Sequence, residues 1–209
     1  GPNDLILKQT LPGANGQITA ITGGRVILNG SVYGPLGTGL QINPGGTAVC
    51  VGPTNQMHDT DSRQDVTMSG GLLQVQNTNY LGAADFEQIP MLRSSVATAV
   101  VENGAAVGPV QLRVGGSGAA GAYRVGAYDG VLQDGTGGGA FSVMLNNFSG
   151  GVYWRLGGTN SYTGDTIVTN GFGSGYTRMI VNGLNTGGGN YYVAGSVANS
   201  WAVLAGAGT

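Results

Sequence analysis

Charge is what this sequence has least of. Only 9% of its 209 residues are charged, with eight lysines and arginines (Lys8 is the sole lysine) against ten aspartates and glutamates. Eight cations cannot neutralise a phosphate track, which argues against a nucleic-acid partner. So few charges also leave little from which to build the charged cleft of an enzyme. Cysteine occurs once, at Cys50, so no internal disulfide can form, and histidine occurs once, at His58. Long hydrophobic runs are missing: residues 5–7, 26–28 and 96–101 are apolar, but none approaches the roughly 20 residues of a membrane span. The charged and apolar regions of a signal peptide are absent as well; the opening Gly1-Pro2 fits either a processed terminus or the scar of a cleaved tag. No strict three-residue glycine period exists, which excludes collagen. Disorder is a poor fit, because 41% of the residues are hydrophobic and disordered chains are charge-rich and apolar-poor. A chain of this length can bury a sizeable core, and residues 1–209 read as a single domain.

What is present is glycine, 42 residues of it. Each one inside a helix would cost about 1 kcal/mol relative to alanine, which excludes a helical bundle. Short β-branched runs bounded by Gly, Asn and Pro predict strands at 17–22, 25–29, 39–43, 47–51, 72–76, 96–101 and 110–114. Further strands are predicted at 122–126, 141–145, 152–156, 166–169, 177–182, 191–194 and 201–204. Short strands with regular turn punctuation define an all-β chain. Five Asn-Gly pairs, beginning at Asn15, Asn29, Asn103, Asn170 and Asn182, mark turns. The turns at 34–39, 115–121, 135–139, 171–175 and 187–189 are dense in glycine. Small residues at corners suit a solenoid, whose coils stack at about 4.8 Å. Weak internal similarity supports that choice: Arg25-Val-Ile-Leu-Asn-Gly30 resembles Arg178-Met-Ile-Val-Asn-Gly183, and each precedes a glycine-rich stretch and two further strands.

The segment Leu156-Gly-Gly-Thr-Asn-Ser-Tyr-Thr-Gly-Asp-Thr-Ile-Val-Thr-Asn-Gly171 resembles the autotransporter-associated β-strand repeat. Three further pieces are similar to later parts of that repeat: Leu36-Gly-Thr-Gly39 with Ile42-Asn-Pro-Gly-Gly-Thr47, residues 73–76 with Asn79-Tyr-Leu-Gly-Ala-Ala84, and 197–209 ending Leu204-Ala-Gly-Ala-Gly-Thr209. The resemblance implies a right-handed parallel β-helix (β-solenoid) displayed outside the cell or on its surface, in a passenger-type protein with an adhesive or structural role. At roughly 20 residues per coil, about ten coils would form a rod on the order of 50 Å long.

Coil ends expose unpaired backbone groups, which natural solenoids cover with polar caps. No amphipathic capping helix is predicted at either end. This points to copies of the same chain as partners, stacked head to tail, since a heterologous contact that does not close builds a fibre. The hydrophobic segment 4–10 either pairs with the coil edge of a neighbouring subunit, as in β-augmentation, or forms the first coil of its own solenoid.

The one charge cluster runs from His58 to Asp65 within a possible loop insertion at 53–66. Asp59, Asp61 and Asp65 are spaced loosely like a calcium loop, but the glycine and the bidentate glutamate of such a loop are missing, so a solvated loop is expected. Asp85, Glu87, Glu102, Asp129, Asp134 and Asp165 are scattered, and most are read as turn residues. No catalytic, cofactor-binding or metal residues are assigned, and no enzyme is expected. Cys50, between Val49 and Val51, reads as a small buried hydrophobe, with an intermolecular crosslink as the alternative. In the aromatic pairs Tyr153-Trp154 and Tyr191-Tyr192, and in Tyr123/Tyr128, one ring should face inward and one outward. Asparagines and threonines should stack in ladders along the coils. The expected function is a structural, extracellular solenoid that self-assembles end to end into a surface filament or fibre. The alternative is an adhesin-type passenger fragment that binds a glycan or a host surface, with the exposed aromatics as the contact.

Overall fold

The computed structural model describes residues 4–7, 18–29, 39–51, 65–76, 85–105, 108–115, 123–147, 150–170, 175–195 and 200–208. Among these there are nineteen strands and no helix. In chain order they are β1 (Leu5–Leu7), β2 (Ile18–Ile21), β3 (Gly24–Asn29), β4 (Gly39–Ile42), β5 (Gly46–Val51), β6 (Asp65–Met68) and β7 (Leu72–Val75). Then follow β8 (Asp85–Ile89), β9 (Leu92–Ser94), β10 (Val100–Asn103), β11 (Val110–Val114), β12 (Tyr123–Tyr128) and β13 (Val131–Gln133). The last six are β14 (Phe141–Asn147), β15 (Gly150–Leu156), β16 (Thr166–Asn170), β17 (Gly175–Val181), β18 (Tyr191–Gly195) and β19 (Ser200–Ala205).

Three parallel sheets result. Sheet 1 runs β1-β3-β5-β7-β10-β13, sheet 2 runs β8-β11-β14-β16-β18, and sheet 3 runs β2-β4-β6-β9-β12-β15-β17-β19. Each strand pairs with the one a full coil later, so the chain winds as a β-solenoid, as expected. The sheets hold six, five and eight strands, so no face counts the ten coils expected. The reason is coil length. Leu5 pairs with Val26, an advance of 21 residues, but Ser94 pairs with Tyr128, an advance of 34. Only β2 lies between Leu5 and Val26, whereas β10 and β11 both lie between Ser94 and Tyr128, because sheet 2 begins at β8.

The core lies between the sheets and is built in register. Val26, Ala48, Leu73, Val101 and Leu132 form one inward column of sheet 1. On sheet 3 the inward column is Gly126, Trp154, Met179 and Leu204. Trp154 is fully buried and donates its indole N–H to the Leu92 carbonyl at 2.9 Å, two rungs away. That bond satisfies the ring's one polar group, which a buried indole requires. Cys50 also faces this core and is fully buried, as expected.

Glycine sets the corners. Gly130, Gly158, Gly183 and Gly208 follow β12, β15, β17 and β19 in turn, and each of the last three packs on the carbonyl of the one before. A Cβ on Gly183 would stand 1.9 Å from the Gly158 oxygen, so the coil spacing leaves no room for a side chain there. Asparagine closes other corners: Asn103, Asn147 and Asn170 donate side-chain N–H groups to the carbonyls of Gly108, Gly150 and Gly175, at 3.0, 2.8 and 2.6 Å. Asn147 and Asn170 also stack in register, as a ladder requires. A glutamine–glutamate ladder crosses sheet 1, where Gln74 and Gln133 each donate to Glu102 at 2.8 Å.

Several sequence expectations change. Residues 96–99 form a turn and β10 starts only at Val100. β6, β8, β9 and β13 are strands that the apolar pattern missed. The loop insertion cannot extend to residue 66, because Asp65 and Val66 belong to β6 and pair with Gly39 and Leu40; residues 52–64 lie outside the described residues. The matching segments at Arg25 and Arg178 are not equivalent positions: β3 belongs to sheet 1 and β17 to sheet 3. Segment 5–7 pairs with β3 of its own chain, so of the two uses foreseen it serves as the first coil.

Candidate functional site

Two regions of the solenoid carry features that its internal packing does not use. The first is the coil of β18 and β19. Tyr191 and Val193 occupy inward register positions, opposite Thr166 and Val168. Thr166 is 2% exposed and Val168 fully buried, whereas Tyr191 is 47% and Val193 48% exposed. The same residue positions therefore change from core to surface over one rung, because no described coil lies beyond. Beside them an open depression of about 500 Å³ is lined by Val181, Asn185, Leu204 and Gly206 among others. β18 ends sheet 2 and β19 ends sheet 3, so each leaves one hydrogen-bonding edge unmatched among the described strands. At the other end, Leu5 shares an inward column with Val26 yet is 57% exposed.

The uncovered coil also corrects the aromatic expectation. Trp154 and Tyr128 face in while Tyr123 is exposed and Tyr153 half-buried, as the alternation predicts. Tyr191 and Tyr192 are both exposed, at 47% and 51%. Alternation correctly sends Tyr191 inward, where its hydroxyl accepts from the Asn185 amide, but no described coil lies beyond it.

The second region is the outward face of sheet 3. Tyr123, Gly151, Tyr176 and Trp201 stand opposite one another on successive rungs. Tyr123 is 57%, Tyr176 61% and Trp201 60% exposed. The Tyr123 ring lies across Gly151, where a Cβ would come within 2.2 Å of it. The adjacent column is Val125, Tyr153, Arg178 and Val203. The Arg178 guanidinium lies 5.7 Å from the centre of the Tyr153 ring, a cation–π contact. Arg178 is exposed and forms no ion pair with any described carboxylate.

The acids are engaged elsewhere. Asp65 accepts from Arg93 and, at 2.9 Å, from Arg124, so this member of the loose calcium pattern is held by two guanidinium groups. His58, Asp59 and Asp61 lie outside the described residues. Asp129 pairs with Arg155 at 3.0 Å. Asp134 accepts from the backbone N–H groups of Phe141 and Thr163 and from the Thr163 hydroxyl. Asp165 accepts from the Asn190 backbone at 3.1 Å. All three lie between strands, as expected of turn residues, but Asp85, Glu87 and Glu102 sit in strands β8 and β10. Among the described residues no group of three His, Cys, Asp or Glu side chains could hold a metal ion, and no helix is long and apolar enough to cross a membrane.

The tyrosine-centred motif has a structural role. Tyr162 is buried, packs edge-on to Phe141 with centroids 6.2 Å apart, and shares a 2.6 Å hydrogen bond with the Thr166 hydroxyl at the start of β16. Asn160 of the same motif accepts from the Leu132 N–H at 3.2 Å and forms an isolated parallel bridge with Asn185. Burial pushes the Cys50 thiol well up, so it is a poor nucleophile in the folded chain. No family model, curated protein or solved structure matches this chain.

Proposed function

We propose that this is a structural β-solenoid protein that self-assembles end to end into a filament on or outside the cell surface, without enzymatic activity, in the manner its resemblance to the autotransporter-associated repeat implies. The observation that carries the reading is the abrupt exposure of inward register positions at β18, where Tyr191 and Val193 follow the buried Thr166 and Val168. Sheet 3 runs from β2 to β19, so stacking one copy on the next sets β19 of one beside β2 of the other, parallel. Such a junction would extend the sheet and cover Tyr191, Val193 and Leu204 in one step. It is heterologous and does not close, which is the geometry of a fibre.

Negative-stain electron microscopy of the tag-free chain over a concentration series tests this. The expected outcome is filaments of constant width that lengthen with concentration. Val193→Asp places a charge at the junction but on a position already 48% exposed in the single chain; it should leave short folded rods of roughly 40 Å, eight rungs at about 4.8 Å. Wild-type chain that stays as such rods at every concentration would refute the assembly.

A second reading, adhesion to a glycan, is favoured by the outward aromatic column of sheet 3. Unlike the coil ends, that column is not needed to continue the solenoid.

A further inference from the structure

We infer that the outward face of sheet 3 binds an acidic polysaccharide, one whose sugar rings carry carboxylates. The inference rests on the adhesion reading and adds to it the ligand's charge and the residues that read it.

Three observations converge on β12, β15, β17 and β19. The rings of Tyr123, Tyr176 and Trp201 form one column, and each is more than half exposed. Contiguous exposed apolar surface of this kind on a folded domain marks an interaction site. The rungs repeat at about 4.8 Å, on the scale of one sugar ring. A chain of pyranoses could therefore lay its C–H faces along the column while the tyrosine hydroxyls meet its hydroxyl groups.

The occupant's charge follows from Arg178. It stands in the adjacent column, on the same rung as Tyr176 and opposite Tyr153 and Val203. Its guanidinium rests over the Tyr153 ring without any described acidic partner. The neighbouring Arg155, by contrast, is tied to Asp129. An apolar protein face laid over this region would desolvate a cation that has no described acidic partner, which is costly. A second copy of the chain is therefore the weaker fit. A carboxylate on a stacked sugar would supply the missing charge, and a planar guanidinium binds carboxylates through two parallel hydrogen bonds.

The test is calorimetric titration of the tag-free chain with an oligogalacturonate and with a neutral malto-oligosaccharide of equal length, paired with tryptophan fluorescence. Trp201 is the exposed reporter and Trp154 the buried one. The expected result is binding to the acidic oligomer, with affinity at least about tenfold lower for the neutral one. Arg178→Gln should remove that preference, and Tyr176→Ser should abolish binding to both. Both substitutions lie on exposed positions of the interior strand β17, so unchanged circular dichroism should confirm that the fold is kept. Equal affinity for the two oligomers, or an Arg178→Gln variant that keeps its preference, overturns the inference while leaving adhesion standing. No binding to either oligomer overturns both. Side-by-side association of rods that Tyr176→Ser abolishes, in place of glycan binding, would identify a second copy as the occupant and overturn the inference as well.

Discussion

Tyr162 and Tyr128 show how single side chains tie this fold to pH. Burial pushes the Tyr162 phenol from its ordinary 10.0 up to about 12, and pushes Tyr128 further still. The unfolded chain releases these protons near pH 10, whereas the folded chain holds them. Stability from each phenol is therefore complete below pH 10 and is lost as pH rises through the folded value. Thermal melts should hold steady up to about pH 10 and fall between about 10 and 12. A tyrosinate absorbance titration should show the exposed phenols ionising first, with the buried ones following only as the fold is lost. A melting temperature that stays flat to pH 12 would contradict the burial of both rings. The tyrosine motif was legible in the sequence as a pattern, but its role as a core anchor, packed on Phe141 and bonded to Thr166, emerges only in the folded chain.

At the scale of the element, the corners decide more than the strands. Alternation and β-branching identify most strands, because a pleated chain sends successive side chains to opposite faces. β6, β8, β9 and β13 escape detection for a physical reason. They are three to five residues long, and three of them include Asp or Arg; of these, Asp65 of β6 and Arg93 of β9 bond to each other across coils. The corner column of Gly130, Gly158, Gly183 and Gly208 is the counterpart. Gly183→Ala would place a methyl 1.9 Å from a carbonyl and should cost about 1–3 kcal/mol as an overpacked contact. Gly188→Ala, where no atom lies within 4 Å, should be nearly neutral. Chemical denaturation of the two variants separates these outcomes, and equal midpoints would show that the corner yields to a methyl group.

The whole molecule behaves as a stack in which each coil is stabilised by its neighbours. Interior strands such as β11 and β15 have partners on both sides, and β18 and β19 on one only among the described strands. Hydrogen exchange should therefore be slowest in β11 and β15 and fastest in β18 and β19, since a segment packed on one side only opens at a lower free energy. In assembled filaments, β18 and β19 should gain protection while β11 and β15 stay unchanged. Uniform protection across the free rod would mean that the coils open together and that the uncovered coil is not a weak end.

The fold class is a property of composition and local pattern. Abundant glycine, few charges and short β-branched runs leave an all-β solenoid as the architecture that satisfies them together, and the burial of Cys50 follows from its strand context. Local pattern also puts one aromatic outward at Tyr123 and one inward at Trp154, because alternation belongs to the backbone of each strand. Coil length could not be read the same way. It depends on how many strands a coil carries, from 21 residues after Leu5 with β2 alone between to 34 after Ser94 with β10 and β11 between. Which outward residues share a face is settled in three dimensions alone. Tyr123, Tyr176 and Trp201 lie far apart in sequence and become one column because parallel pairing stacks whole coils. The same stacking places Arg178 over Tyr153, and it strands Tyr191 on a surface that a further coil would bury.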